Sequence, residues 1–268
     1  MNAKTAADVI AAGADGIAVV SAIMASEDPR SSAAELAALA RRSWSSAVWK
    51  KTARIYDAIL AHPFLTEMAA GVLDAAKFDR YLAQNEVYIG NYGRSMFALS
   101  DIMENPEEKD MFVAFAREGI ESEKLMHELL LGRFGIDTAV ASSVVTSTYN
   151  RHTEAAVATG VKEIGLAAIL PCAWVYNEVG KAVLETTRLE GNPYKEWMSE
   201  YGNEEFTRGV ELLLSMADRW AAAAAPDVRA RMTVAFLEAA LMEYAFWDYG
   251  YCGDSKSYGY MQNFENWL

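Results

Sequence analysis

The chain has 268 residues, room for one large domain or two small ones, and at 52% hydrophobic and 11% aromatic it can build a sizeable core. Its net charge of −13 argues against nucleic acid or an anionic membrane as a main partner, since both demand a basic face. The two cysteines, Cys172 and Cys252, are too few for a disulfide scaffold, so a reducing cytoplasmic setting fits best; no signal peptide stands out and no stretch is long and apolar enough to span a membrane.

In chain order, residues 1–42 are rich in Ala, Gly and β-branched side chains. The apolar run Gly13–Ile23 follows glycines and reads as a buried parallel strand. Residues 31–42, SSAAELAALARR, read as a capped amphipathic helix. A lone β–α unit of this kind cannot bury its own faces. From about Ser45 the texture becomes helical. Apolar periodicity predicts helices over 45–61, 74–103, 107–133, 139–159, 161–188, 193–225 and 227–249. Breaks fall at His62-Pro63, Asn105-Pro106, Gly132 and Gly135, Gly160, Gly191 to Pro193, Pro226 and Gly250. The short connections suit a compact all-α bundle.

The informative residues are polar ones at positions where helical spacing predicts core. One stripe runs Phe78, Tyr81/Leu82, Asn85, Tyr88/Ile89, Tyr92, Met96, with Asn85 in its middle. Another runs Phe236, Ala240, Glu243, Phe246/Trp247, with Glu243 in its middle. Cys172 has Tyr176 one turn on, and Val145, Tyr149, His152 and Ala156 share a face. A carboxylate on an apolar face is costly unless it is paired or its pKa rises until it is neutral, a state suited to general acid–base work. These residues together predict a polar, aromatic-walled pocket inside the bundle. Each alone reads equally as core: a buried cysteine as filler, a buried glutamate as a tie between helices, tyrosines as packing.

Glu123 and His127, four apart on one predicted helix, invite a metal reading. Helical di-iron sites need about four carboxylates and two Glu-x-x-His motifs. The three histidines, His62, His127 and His152, each lack a glutamate three residues before, so no metal site and no cofactor are expected. No GxSxG or CxxC motif is present, and an acid partner for Cys172 would be Glu243 rather than a histidine. Pro171 fits a helix start or kink, and a thiol in a first turn would gain from the positive helix end.

Six stretches, HPF (62–64), FDRYLAQNEVYI (78–89), ESEKLMH (121–127), AAILPCAWVYNEVG (167–180), YKEWMSEYG (194–202) and MEYAFWDYGY (242–251), resemble the TenA/thiaminase II family in the family's order and are spread along nearly all of 45–251. The resemblance implies an all-helical, haem-oxygenase-like bundle without haem over residues 43–268, usually a homotetramer. It implies release of hydroxymethylpyrimidine from aminomethylpyrimidine or thiamine. It assigns Cys172 as the nucleophile that adds to the ring and Glu243 as the group that exchanges a proton with a ring nitrogen. Tyr88, Tyr149, Tyr176, Tyr201 and Phe246 match aromatic positions of the pocket. Where the family has Gln-Asp this chain has Gln84-Asn85. Asn85 can accept from the pyrimidine amino group and donate to the ring nitrogen, but cannot carry charge. Residues 7–42 resemble the C-terminal end of thiamine-phosphate synthase, a (β/α)8 barrel. Forty residues cannot form that barrel, so 1–42 are expected to be a β–α remnant without synthase activity. Two other classes stay open: a binding protein that holds a thiamine-related pyrimidine without turnover, for which Asn85 is the main argument, and an oxidase on the same scaffold.

Overall fold

A computed structural model describes residues 5, 6, 9, 17–26, 28–40, 43–134, 139–187 and 189–253, and only the backbone of residues 35, 37–40, 127 and 131–134. The regular structure among the described residues is helical throughout. The chain divides into two compact units, Met1–Ala47 and Val48–Leu268.

The first unit holds α1 (Ser21–Met24) and α2 (Pro29–Ala40). Asp28 starts α2 by accepting from the Arg30 and Ser31 amides through Oδ1, each at 3.1 Å. The strand expected over Gly13–Ile23 does not form among the described residues: Ile17–Val19 carry no regular structure and Ser21–Ile23 belong to α1, while 13–16 lie outside the described residues. A strand needs a neighbour for its backbone groups. Here the Val20 carbonyl instead accepts from the Ile23 and Met24 amides at 3.1 and 3.0 Å, closing a helical turn locally.

α3 (Trp44–Leu60) spans the boundary between the units and is followed by α4 (Pro63–Ala69), α5 (Ala75–Asp101), α6 (Pro106–Phe134), α7 (Val144–Ala158), α8 (Lys162–Thr186), α9 (Lys195–Tyr201), α10 (Glu204–Ala223) and α11 (Pro226–Cys252). α8 is the central helix. Nearly every side chain from Ile164 to Gly180 is buried, so it is apolar all round rather than striped. It packs most extensively on α11, and also on α5, α7, α9 and α10. None of the described helices is long and apolar enough to cross a membrane.

Three local expectations change. The His62-Pro63 break is also a helix start: His62 Nδ1 accepts from the Phe64 amide at 3.1 Å, and Pro63 occupies the first turn of α4. Seven residues are too few for periodicity to reveal such a helix. The single helix expected over 193–225 is two, because Asn203 caps α10 by accepting from the Phe206 amide at 2.8 Å. Pro171 lies inside α8, nine residues after the helix begins at Lys162, so Cys172 gains nothing from a helix N-terminus.

The junction of α9 and α10 is pinned to α8. Asn177 donates to the Tyr201 carbonyl at 3.0 Å and to Thr207 Oγ1 at 2.9 Å. Gly180 permits the approach: a Cβ there would stand 2.6 Å from Gly202 N and Tyr201 C, both backbone atoms. Gly180→Ala is therefore expected to push the end of α9 away from α8. The cost should be about 1–3 kcal/mol of stability in denaturant titration, as for other overpacked sites. A wild-type midpoint in the variant would refute this account of the junction.

Candidate active site

Helical phase sets the site. On α5, Tyr81, Asn85, Tyr88 and Tyr92 follow one another at three- and four-residue spacing and all are buried. Gln84, beside them, ties α5 to the start of α7: its Oε1 accepts from the Ser143 amide and from Thr146 Oγ1, both at 2.8 Å, and its Nε2 donates to the Ala141 carbonyl at 2.9 Å. That fixes α7, which delivers Tyr149. α8 delivers Cys172 and Tyr176, α9 delivers Tyr201, and α11 delivers Glu243 and Phe246.

Glu243 is 1% exposed. Tyr149 donates its hydroxyl to Glu243 Oε1 at 2.5 Å. Burial pushes the carboxyl up to about 8, against the smaller opposing effect of that hydrogen bond. The group therefore holds its proton at neutral pH and can still release it just above.

Cys172 keeps some exposure along a cavity wall, but its surroundings are apolar enough that desolvation pushes the thiol well up. The Glu243 carboxylate adds to that rise, and the Tyr88 and Tyr92 hydroxyls act the other way. Tyr88 is informative here. Its ring lies 4.7 Å from that of Tyr149 and 5.9 Å from that of Phe246. Its buried hydroxyl makes no well-formed hydrogen bond among the described residues. A neutral thiol is a weak acceptor, whereas a thiolate is a strong one, so this phenol is placed to stabilise the anion as it forms.

Tyr176 accepts from the Tyr81 hydroxyl at 3.1 Å, stacks on Trp247 with centroids 4.9 Å apart, and meets Tyr201 at 5.0 Å. Tyr201 in turn donates its hydroxyl to Glu123 Oε1 at 2.5 Å. Asn85 Nδ2 donates to Glu123 Oε2 at 3.4 Å.

A cavity of about 570 Å³, its open mouth included, lies between α5, α6, α8, α9 and α10, with Ile89, Tyr92, Phe115, Glu123, Cys172 and Tyr201 among its walls. Of the expected site residues, Cys172 and Tyr201 line this space. Asn85, Tyr88, Tyr149, Tyr176, Glu243 and Phe246 form the buried polar and aromatic cluster next to it. Two further residues of the periodic α5 stripe belong here that were not among the expected site residues: Tyr92, which donates to the Ile169 carbonyl at 3.4 Å, and Tyr81, which donates to Tyr176. The largest surprise is Glu123. It lines the cavity with the cysteine; the side chain of His127, its partner in the metal reading, lies outside the described residues. Its signal was present in the sequence, since Phe112, Phe115/Ala116, Gly119 and Glu123 mark the inner face of α6 at helical spacing.

The family description TENA/THI-4/PQQC matches residues 49–253 of the chain. An aminopyrimidine aminohydrolase of Halalkalibacterium halodurans is 26% identical over 215 residues, covering 78% of this chain and 96% of that protein. The aminopyrimidine aminohydrolase of Bacillus subtilis is 27% identical over 201 residues, covering 73% of this chain and 84% of that protein. The thiamine biosynthesis multifunctional protein ThiED of Corynebacterium glutamicum is 28% identical over 205 residues, 76% of this chain, and the chain spans only 26% of that longer protein. A solved TenA homologue from P. horikoshii superimposes with a TM-score of 0.71 at 24% identity, covering 79% of this chain and all of that one, which establishes the helical fold.

Proposed function

The chain belongs to the TENA/THI-4/PQQC family, and from that premise we propose that it is an aminopyrimidine aminohydrolase of thiamine salvage, acting on aminomethylpyrimidine, thiamine or both. Relatives at 23–27% identity over most of the chain that carry this enzyme's name support the reading. In it, Cys172 is the nucleophile and Glu243 the proton carrier, while Tyr201 on the cavity wall and Asn85, Tyr88, Tyr149, Tyr176 and Phe246 in the adjoining buried cluster bind the pyrimidine. The protein works as a cytoplasmic homotetramer.

The observation that carries the proposal is a fully buried carboxyl, held by Tyr149 and pushed up to about 8, within electrostatic reach of a cysteine on a cavity wall. Hydrolysis of aminomethylpyrimidine replaces the methylene C–N bond by C–O and releases ammonia. The thiol adds across the ring, its proton passing by way of Glu243 to a ring nitrogen. The electron-rich adduct expels the amine from the methylene. Water adds there, and the reverse proton path frees the thiol. A carboxyl titrating near 8 can both take and give that proton at neutral pH, which an ordinary glutamate cannot do as evenly. The thiol starts neutral, so the Tyr88 and Tyr92 hydroxyls must stabilise the charge that builds on sulfur as its proton leaves, before the C–S bond forms.

Product analysis tests this directly. Purified protein incubated with aminomethylpyrimidine or with thiamine should release hydroxymethylpyrimidine at a rate proportional to enzyme. No turnover of either compound would sink the hydrolase reading. A second reading, a binding protein for the same pyrimidine, is favoured by the raised thiol and by the amide at position 85.

A further inference from the structure

We propose that Glu123 is the specificity-determining carboxylate of this site: it takes the cationic side of the substrate, the amine or thiazolium that leaves. The proposal rests on the hydrolase reading for the identity of the ligand. Its geometry stands apart from it.

Three observations carry it. Glu123 lines the same cavity as Cys172, so a ligand in contact with the thiol meets this carboxylate. The side chain is held in place from two other helices, by the Tyr201 hydroxyl on one oxygen and the Asn85 amide on the other. A carboxylate offers about four acceptor positions, so it can hold these donors and a ligand cation together. Third, a second concave space adjoins the cavity, with Phe115, Gly119, Ser122, Glu200 and Phe206 common to both walls. The second space adds Glu118 and Glu205 to Glu123 and Glu200, and no Lys, Arg or His is among the described residues lining either. A passage of one sign raises the local concentration of ligands of the opposite sign.

The amide at position 85 acquires a reason in this arrangement. An aspartate there would set two carboxylates at about the 3.4 Å now spanned by the Asn85–Glu123 hydrogen bond. Like charges that close cannot both remain ionised. Asparagine holds Glu123 by donation without adding a second carboxylate beside it.

The discriminating ligands are aminomethylpyrimidine and hydroxymethylpyrimidine. They share the ring and its amino edge and differ in an ammonium against a hydroxyl. Binding of each is measured by calorimetry in the Cys172→Ala protein, with and without Glu123→Gln. Glutamine keeps the shape and an acceptor for Tyr201, and removes the charge. The expected result is at least about a tenfold loss of affinity for aminomethylpyrimidine, the scale of a charge-assisted hydrogen bond, with hydroxymethylpyrimidine within about twofold of the parent. Retained affinity for the neutral compound also certifies the fold of the variant. Equal losses for both compounds, or no loss for either, would overturn the proposal. Selective loss without turnover in the wild-type protein would leave Glu123 in this role and remove the hydrolase reading.

Discussion

Replacing Cys172 by alanine is expected to lower hydrolysis of aminomethylpyrimidine and thiamine by at least about a thousandfold, while pyrimidine affinity stays within a few-fold of wild type. The reasoning is that the thiol has no substitute. Cys252, the other cysteine, lies at the C-terminal end of α11 and does not line the cavity. The tyrosines around the site are buried and their hydroxyls are pushed well up, so none offers an accessible phenolate at neutral pH. Without covalent addition, the aromatic ring cannot supply the electrons that expel the amine. Alanine removes one sulfur from a wall that already faces open space, so packing changes little and the fold should persist. Single-turnover assays with the variant measure the loss. Retention of more than about a tenth of wild-type turnover would mean that Cys172 is wall and not nucleophile. A variant that still binds, from a parent that never turned over either compound, would favour the binding-protein reading.

The second large effect belongs to Glu243. Glu243→Gln keeps the acceptor for Tyr149 and removes the transferable proton, so kcat should fall by about 10²–10⁴ with a smaller change in KM. The same substitution has a signature in stability. Burial raises the carboxyl from an ordinary value of 4.5 to about 8 in the folded chain. Between those values the folded state keeps a proton that the unfolded state releases. The stability this contributes is fully present below about pH 4.5 and is lost as pH rises through 8. Glutamine has no such dependence. The melting temperature of Glu243→Gln relative to wild type should therefore climb from pH 5 to pH 9, by the equivalent of roughly 3–5 kcal/mol over the whole window. A difference that stays flat across that range would show that Glu243 titrates as an ordinary surface carboxyl, and the proton-carrier role would fall with it.

The aromatic stripe on α5 and the stranded Glu243 on α11 were legible because a helix repeats every 3.6 residues, so a polar residue on a buried phase stands out in one dimension. The same property made Cys172 and Tyr176 neighbours on paper, and they are one turn apart in α8. What periodicity cannot convey is which helix faces which. Glu123 showed its phase on α6, yet only the packing of α6 beside α5, with the α9 end close by, made it a cavity residue with Asn85 and Tyr201 as donors.

Short elements and strong burial were equally out of reach. α4 has too few residues to display a period, and the split between α9 and α10 depends on Gly180 admitting backbone from another part of the chain. Pro171 could be read as a helix start from its neighbours alone; the long apolar contact of α8 with α11 carries the helix through it. The N-terminal run that read as a strand found its backbone partners within one helical turn.

By itself, then, the sequence determined the helical class, the phases of most helices and the set of polar side chains that would be forced inward, because those follow from spacing and solvation along one chain. Only the tertiary structure decided the charge states: that Glu243 is held neutral, that the thiol is pushed up rather than down, and that the carboxylate facing the cavity comes from α6. Those depend on how much water and which partners surround a group, and both are set by residues distant in sequence.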